Sequence, residues 1–445
     1  MNSSSTNAQT AVESHSLRRG SLTWVKVAAI GVAISVSGCF AGWNYGLGAG
    51  GWGGMLIALL ATGLLFFCLT QAVAELAAAM PRHAGFDAYV REILGPLAGF
   101  VAGICVALGL AVGTGLALSF TAAYTEGLFG FGGWSVKGAL IVALLLVHLR
   151  GAREAVGFTM LVGGIAIAAL VVFCTAMAPS FDAGNLYTQV QGGATLMPGG
   201  VLGIVQSVPF ALFMLLGVEQ AAQGAAEIDD PVRSMPRALG TAIVVAFVMA
   251  VIVLIVATGS TGAAQLSGAD DPLLAAVQAQ PESAAQALLA KVIGTGALVA
   301  ILAALFSLAY GSSRQLHHLA SSGALPGWLT LTNRRGAPVT ALAAVAVIGV
   351  VTAVFPPEAA MVVFIFLMML MYELLLIAFL RFRQRRPDMA RPYRAVGGST
   401  LGWIGAILGL AAALCCYQLQ ITALSYALAA LGALLGYFLW QRRLR

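Results

Sequence analysis

The sequence predicts an all-α integral membrane protein with twelve transmembrane helices, built from two five-helix repeats of inverted topology and two further helices. Three observations predict this class. Of the 445 residues, 60% are hydrophobic and 9% are charged, a composition typical of polytopic membrane proteins. Apolar stretches of about 20 residues, the length that crosses a bilayer core, recur along the chain. The first and sixth stretches are interrupted around glycine at corresponding places, as in inverted repeats.

The apolar stretches follow one another from the first repeat, about 24–178, through the second, about 201–381, to two extra helices at about 400–440. We place the spans at 24–50, 53–80, 96–125, 136–150, 154–178, 201–225, 237–259, 286–320, 338–355, 359–381, 400–418 and 421–440. Residues 1–22 are polar and lack the apolar core and cleavage site of a signal peptide. We therefore expect a disordered cytoplasmic tail, followed by one membrane domain at 23–445.

Charge predicts the orientation. With both termini inside, nearly all Lys and Arg residues fall on one face of the membrane, and only Lys137 and Lys291 fall on the other. This is the positive-inside distribution, and it predicts a multi-pass protein of the inner (cytoplasmic) membrane with both termini in the cytoplasm. The net charge of +6 then serves topology and contact with anionic lipids of the bilayer. Nucleic acid is not expected as a partner, because the basic residues are scattered over loops.

The two interruptions predict a cavity within the membrane. The first contains Ser37-Gly38-Cys39-Phe40-Ala41-Gly42, and the second contains Phe213-Met214-Leu215-Leu216-Gly217-Val218. A broken helix frees backbone groups, which a membrane tolerates only where protein or water satisfies them. Free N–H groups at Gly38, Cys39 and Phe40 favour an anion, and free carbonyls around 213–216 favour an ammonium. Together they suit a zwitterion or a small amine. The alternative is that these glycines serve close helix packing.

These interruptions supply the candidate site residues. The candidates for substrate binding are Ser37, Gly38, Cys39, Phe40, Gly42, Trp43, Asn44, Phe213, Leu216 and Gly217. Trp43 and Asn44 are expected to cover the substrate from outside, or else to anchor the helix. Glu219 and Glu373 are ionisable residues inside spans, and such residues are functional candidates in gating or proton coupling. The alternatives are a gate-closing hydrogen bond for Glu219 and a bond to a neighbouring helix for Glu373.

Other classes of site are not indicated. The six cysteines lie in apolar spans without metal-ligand spacing, so neither a metal site nor a disulfide framework is expected. The sequence has no HExxH motif and no glycine-rich phosphate loop, so we expect no enzyme and no cofactor. Gln71 and Glu75 share one face of the second span at spacing i, i+4 and are predicted to join helices near the inner surface.

Short motifs in a fixed order resemble one known family. They are Ala74-Glu75-Leu76, Pro81-Arg82-His83-Ala84-Gly85, Gly95-Pro96, His148-Leu149-Arg150-Gly151-Ala152-Arg153-Glu154, Gly217-Val218-Glu219, Gly336-Ala337-Pro338 and Arg386-Pro387-Asp388-Met389-Ala390-Arg391-Pro392-Tyr393-Arg394. This series resembles the amino acid–polyamine–organocation (APC) transporters over nearly the whole chain. The resemblance implies a LeuT-like 5+5 inverted repeat with broken helices 1 and 6. It also implies a secondary active permease that moves amino acids or related small amines across the cytoplasmic membrane by alternating access.

The resemblance leaves the substrate and the coupling open. Residues 34–46 look most like the ethanolamine permease branch, but Cys39 stands where that branch usually carries a carboxylate. An ethanolamine- or polyamine-type permease or exchanger is therefore one alternative, and a membrane nutrient sensor that does not transport is another. The fifth span has no Lys, which some proton-coupled members carry there. A coupling proton, a counter-substrate and plain uniport all stay possible.

Overall fold

The structure is a computed structural model that describes residues 23–80, 85–150, 156–191, 193–227 and 230–444. The predicted N-terminal tail, residues 1–22, lies outside the described residues. Most of the described chain is helical, and a short antiparallel hairpin pairs β1, Thr188–Val190, with β2, Gly193–Thr195.

Six α-helices make up the first half of the chain. They are α1 Trp24–Val36, α2 Tyr45–Ala79, α3 Phe86–Leu94, α4 Pro96–Phe129, α5 Gly133–Leu149 and α6 Val156–Met177. A 3₁₀ turn at Ser37–Cys39 follows α1, and two more, Ala178–Ser180 and Ala183–Leu186, follow α6. The helices α3 and α4 meet at Gly95, whose φ of 98° turns the chain sharply.

Nine α-helices make up the second half. They are α7 Gly200–Phe213, α8 Pro231–Thr261, α9 Ala263–Leu266, α10 Pro272–Gln278, α11 Ala284–Ser321, α12 Val339–Thr352, α13 Pro357–Arg385, α14 Gly398–Leu419 and α15 Ile421–Leu444. Two 3₁₀ segments accompany them, Val218–Glu227 and Gly327–Thr330. The short helices α9 and α10 form the loop between the seventh and eighth spans.

The predicted twelve spans are confirmed. Within the described ranges, nine helices are long and apolar enough to cross a membrane. The three shorter apolar helices, α1, α5 and α12, supply the remaining spans. The long helices α2, α4, α11 and α13 pack around one core, whereas the most apolar stretch of α15 is only 11% buried. The last helix therefore lies at the periphery of the bundle.

The first and second spans are joined without a loop. Gly51 has φ 63° and ψ −172° inside α2, so the first six residues of α2 belong to the first span and the rest form the second. Near this kink α2 and α7 approach closely, because the hydroxyl of Ser207 donates to the carbonyl of Gly46 at 2.8 Å. A side chain at Gly50 would collide with Ser207 and the backbone of Gly203. Glycine is required here by the close approach of two helices.

The end of the second span is fastened to the end of α13. Arg383 donates two hydrogen bonds to the carboxylate of Glu75, at 3.0 and 2.5 Å. The backbone N–H of Ala395 donates a third at 2.7 Å, and the hydroxyl of Tyr393 donates to Gln71. Glu75 and Gln71 therefore join helices at this end of the bundle, as their spacing predicts.

Candidate functional site

The two interruptions lie against each other. The first runs from the end of α1 at Val36 to the start of α2 at Tyr45, and the second separates α7, which ends at Phe213, from the 3₁₀ segment that begins at Val218. A β-carbon at Gly38 would overlap the carbonyl oxygen of Phe213. The two interruptions therefore touch through backbone atoms, without side chains between them. Gly38 serves close packing of the helices, and it does so at the place where the substrate site is predicted.

Two glycines shape the interrupted segments. Gly42 has φ 87° and Gly217 has φ 99°, a region that residues with a β-carbon rarely adopt. A β-carbon at Gly217 would also lie 2.5 Å from Cγ2 of Ile34 in α1. Gly217 thus allows both the turn in the second interruption and its contact with the first.

In the first interruption, most polar backbone groups already have partners. The indole of Trp43 donates to the carbonyl of Cys39 at 2.9 Å, and the hydroxyl of Tyr124 in α4 donates to the carbonyl of Phe40 at 2.5 Å. The N–H of Phe40 donates to the carbonyl of Ser37 at 3.2 Å. The prediction of a free N–H at Phe40 is therefore wrong, because a 3₁₀ turn continues the helix through Cys39 and uses that donor.

The second interruption differs in its carbonyls. Among the described residues, none donates a hydrogen bond to the backbone oxygens of 213–216. The end of α7 adds the negative pole of a helix dipole at the same place. This arrangement agrees with the expectation of free carbonyls there, and such carbonyls attract a cationic group.

Glu219 closes the second interruption from within. Its Oε2 accepts a hydrogen bond from the N–H of Gly217 at 3.0 Å. Its Oε1 accepts one from the hydroxyl of Tyr372 in α13 at 2.5 Å. Glu219 and Tyr372 are each 1% exposed, so the pair is shielded from water. In this conformation both oxygens of Glu219 serve the protein itself.

Three aromatic rings, those of Phe120, Phe213 and Phe364, lie beside the interruptions. The ring of Phe213 makes edge contacts with Phe120 of α4, at a centroid distance of 6.3 Å, and with Phe364 of α13, at 6.2 Å. Phe120 and Phe364 are buried, whereas Phe213 and Ser37 are only half-buried. Phe213 therefore keeps part of its apolar surface uncovered by the protein.

Asn44 and Tyr45 bond to the loop between the seventh and eighth spans, whereas Trp43 bonds within the first interruption. Trp43 is fully buried. The amide of Asn44 donates to the carbonyls of Leu266 and Ala269, at 2.6 and 2.7 Å, in the loop between α9 and α10. The hydroxyl of Tyr45 donates to Asp270 of that loop at 2.5 Å. These bonds fasten the loop over the C-terminal end of the first span.

The loop also carries a carboxyl with a shifted pKa. Burial raises the pKa of Asp271 from its ordinary value of 3.8 to about 6, and the nearby charges of Asp270 and Glu126 add to the rise. Because Asp271 sits at the start of α10, its protonation changes the charge of the segment that covers the first span.

Glu373 is not brought to the interruptions. Its Oε2 lies beside Gly409 of α14, where a β-carbon would be only 2.5 Å away. This oxygen is buried and has no hydrogen-bond partner among the described residues. The neighbouring Tyr372 reaches Glu219 instead, so adjacent residues of α13 serve two separate places.

Sequence reasoning missed the contributions of α4 and α13 to the site, namely Tyr124, Tyr372, Phe120 and Phe364. A signal for the tyrosines exists, since a buried phenol in an apolar span needs a hydrogen-bond partner. The predicted residues 37–44 and 213–219 do lie together. The described part of the chain holds no group of three or more His, Cys, Asp or Glu residues that fits a metal ion.

Comparison with known proteins agrees with this architecture. The family model described as Amino acid permease matches residues 25–440. An uncharacterized transporter of Rhizobium meliloti is 26% identical over 318 residues, which cover 67% of this chain and 65% of the relative. The gamma-aminobutyric acid permease of Bacillus subtilis is 23% identical, with 75% of this chain and 73% of the relative covered. The chain thus spans slightly less than two thirds of the length of the Rhizobium relative.

A solved structure shows the same fold. A crystal structure of the manganese transporter of Eremococcus coleocola, in a mutant form, matches with a TM-score of 0.58 at 14% identity, and the match covers 94% of both chains. The likeness supports the predicted LeuT-like arrangement with interrupted first and sixth helices.

Proposed function

Because this chain belongs to the amino acid permease family, we propose that it is a secondary active transporter of amino acids or related small amines, working by alternating access in the cytoplasmic membrane. The observation that carries the proposal is the contact of two interrupted helices at Gly38 and Phe213. Such paired interruptions form the midplane substrate sites of secondary transporters. We propose that both termini lie in the cytoplasm, as the distribution of Lys and Arg predicts.

The geometry favours a zwitterion over a simple amine. The unpaired carbonyls of 213–216 suit an ammonium group, and a substrate carboxylate is proposed to lie at the first interruption on the side of Tyr45, where α2 begins and its dipole is positive. Glu219 has both oxygens occupied, and Cys39 replaces the carboxylate of the ethanolamine branch. A substrate that brings its own carboxylate therefore fits this chain better than ethanolamine does.

The three aromatic rings beside the interruptions favour a substrate with an apolar side chain. Phe120, Phe213 and Phe364 present ring edges and faces to one region, and these favour aliphatic or aromatic groups by burial of apolar surface. We therefore propose neutral amino acids with apolar side chains as the preferred class. The other residues predicted for the site, including Leu216 and Gly42, are proposed to contribute through the course of the backbone in the interrupted segments.

Gating is proposed to involve Glu219. Its bond from Tyr372 joins the second half of the sixth span to α13, and its bond from Gly217 holds the turn of the interruption. Opening of the site on one side requires the sixth span and α13 to separate. Glu373 has one buried carboxyl oxygen, Oε2, without a hydrogen-bond partner among the described residues, and we propose this residue as a proton carrier of the transport cycle. A counter-substrate in place of the proton is the alternative for coupling.

Uptake into proteoliposomes tests this function. We expect labelled leucine to enter or to exchange, labelled ethanolamine to do so much more weakly, and a pH gradient to change the rate if a proton is coupled. If purified protein binds amino acids but neither uptake nor exchange occurs, the chain is a sensor. Binding is read from thermal stability, because a ligand of the folded state raises it by mass action.

A further inference from the structure

A cavity lies at the arginine-rich end of the bundle, and none of the residues that line it belongs to the interrupted segments. It has a volume of about 440 Å³ and lies between the α3–α4 junction, the end of α11 and the end of α15. Its lining includes Arg91, Ser322, Phe438, Gln441 and Arg442. Three elements that are distant in sequence therefore share one pocket.

The charge of this pocket is positive. Among the described residues that line it, two are arginines and none carries a carboxylate. Neither Arg91 nor Arg442 has an ion-pair partner in the described chain, unlike Arg383 and Arg386, which pair with glutamates. Arg91 also lies across Gly99 in the first turn of α4, where the helix dipole adds positive potential. The pocket is built for an anion.

The pocket opens onto the surface that faces lipid. The ring of Phe438 in α15 stacks on Phe100 of α4 at 4.3 Å, and the guanidinium of Arg442 lies 5.5 Å over the Phe438 ring. The adjoining Leu439 and Trp440 are 45% and 57% exposed. A tryptophan exposed next to arginines at a helix end is typical of the membrane interface. Apolar chains and an anionic headgroup can therefore be bound side by side.

We propose that this pocket binds the phosphate headgroup of an anionic phospholipid, and that the lipid fastens α15 to the bundle. The phosphate bridges Arg91 and Arg442, as basic pockets between transmembrane helices bind anionic headgroups. The buried Oε1 of Gln441, which has no partner among the described residues, accepts a hydrogen bond from a headgroup hydroxyl. α15 is the least buried long helix, so it gains the most from such a bridge.

Thermal unfolding in detergent with added lipid tests the proposal. Phosphatidylglycerol is expected to raise the unfolding temperature of the wild type, whereas phosphatidylcholine does not. The double variant Arg91→Gln/Arg442→Gln is expected to lose this rise, with at least a tenfold weaker apparent affinity for phosphatidylglycerol. The matched control Arg385→Gln/Arg443→Gln removes the same charge from exposed arginines outside the pocket and is expected to respond as the wild type does.

Each of the following results would overturn the proposal. An equal loss in the control variant would mean that net charge, not the pocket, attracts the lipid. An unchanged response of the pocket variant would remove the site. Equal protection by inorganic phosphate without lipid would assign the pocket to a soluble anion. If the double variant fails to fold, native mass spectrometry of each single variant counts retained phosphatidylglycerol, and the wild-type count in both contradicts the site.

Discussion

The hydroxyl of Tyr372 lies 2.5 Å from Oε1 of Glu219 and joins α13 to the second half of the sixth span. The other carboxylate oxygen accepts the N–H of Gly217 at the turn itself. One side chain thus satisfies the broken backbone and links it to a helix outside the pair of interrupted spans. Because both residues are shielded from water, loss of either partner leaves an unsatisfied polar group.

Glu219→Gln is expected to weaken substrate binding about tenfold, since the variant loses the negative charge beside the proposed ammonium position.

Tyr372→Phe, which keeps the ring, is expected to lower stability by about 1–3 kcal/mol, the usual effect of an unsatisfied buried acceptor. Substrate titration and thermal unfolding measure the two effects, with Tyr426→Phe, an exposed tyrosine, as the control. Wild-type affinity and pH dependence in Glu219→Gln would exclude Glu219 from the mechanism.

Gly38→Leu is expected to abolish transport while membrane insertion stays intact. The added side chain meets the backbone of Phe213, which cannot move aside as a flexible side chain can, so the two interruptions are forced apart. Uptake and the amount of protein in the membrane are measured together. Gly48→Leu is the control, because its β-carbon would lie 3.6 Å from the nearest atom, in Ser267. Normal uptake by Gly38→Leu would refute the site.

Arg383→Gln is expected to destabilise the protein by about 3 kcal/mol or more, because removal of one partner leaves the buried carboxylate of Glu75 insufficiently paired. Arg386→Gln is the matched control: its pair with Glu92 is exposed on both sides, and its loss is expected to cost less than about 1 kcal/mol. Thermal unfolding of both variants checks the difference. Equal destabilisation would show that burial of the Glu75 pair does not matter.

Asp271→Asn is expected to stabilise the protein at pH 7.5 by on the order of 1–2 kcal/mol, since each pKa unit is worth about 1.4 kcal/mol. The pKa of Asp271 is raised in the folded protein, so the folded state holds more protons than the unfolded state between about pH 4 and 6. Stability from this group is present below that window and is lost as pH rises through it. Unfolding temperatures at pH 5 and 7.5 should therefore diverge less in the variant, and an unchanged difference would contradict the shift.

The spans and both interruptions could be predicted, because hydropathy and glycine position are local properties. The side chains that contact the site residues could not be predicted from the sequence. α13 is apolar on most faces, so its sequence does not reveal that Tyr372 turns to Glu219 while Glu373 turns to α14. Asn44 was expected above the substrate, but its amide is held by carbonyls more than 220 residues away. Such contacts depend on tertiary packing.

The kink at Gly51 has a consequence for movement. The first six residues of α2, which end the first span, run directly into the second span. Ser207 also joins these six residues to α7. We therefore expect the end of the first span, the second span and α7 to move as one unit. The six residues that end the first span then cannot turn independently of the second span. In the proposed transport cycle, movement of this unit bends the chain at residues 37–44 and 214–217, so the change of access also changes the shape of the proposed binding site.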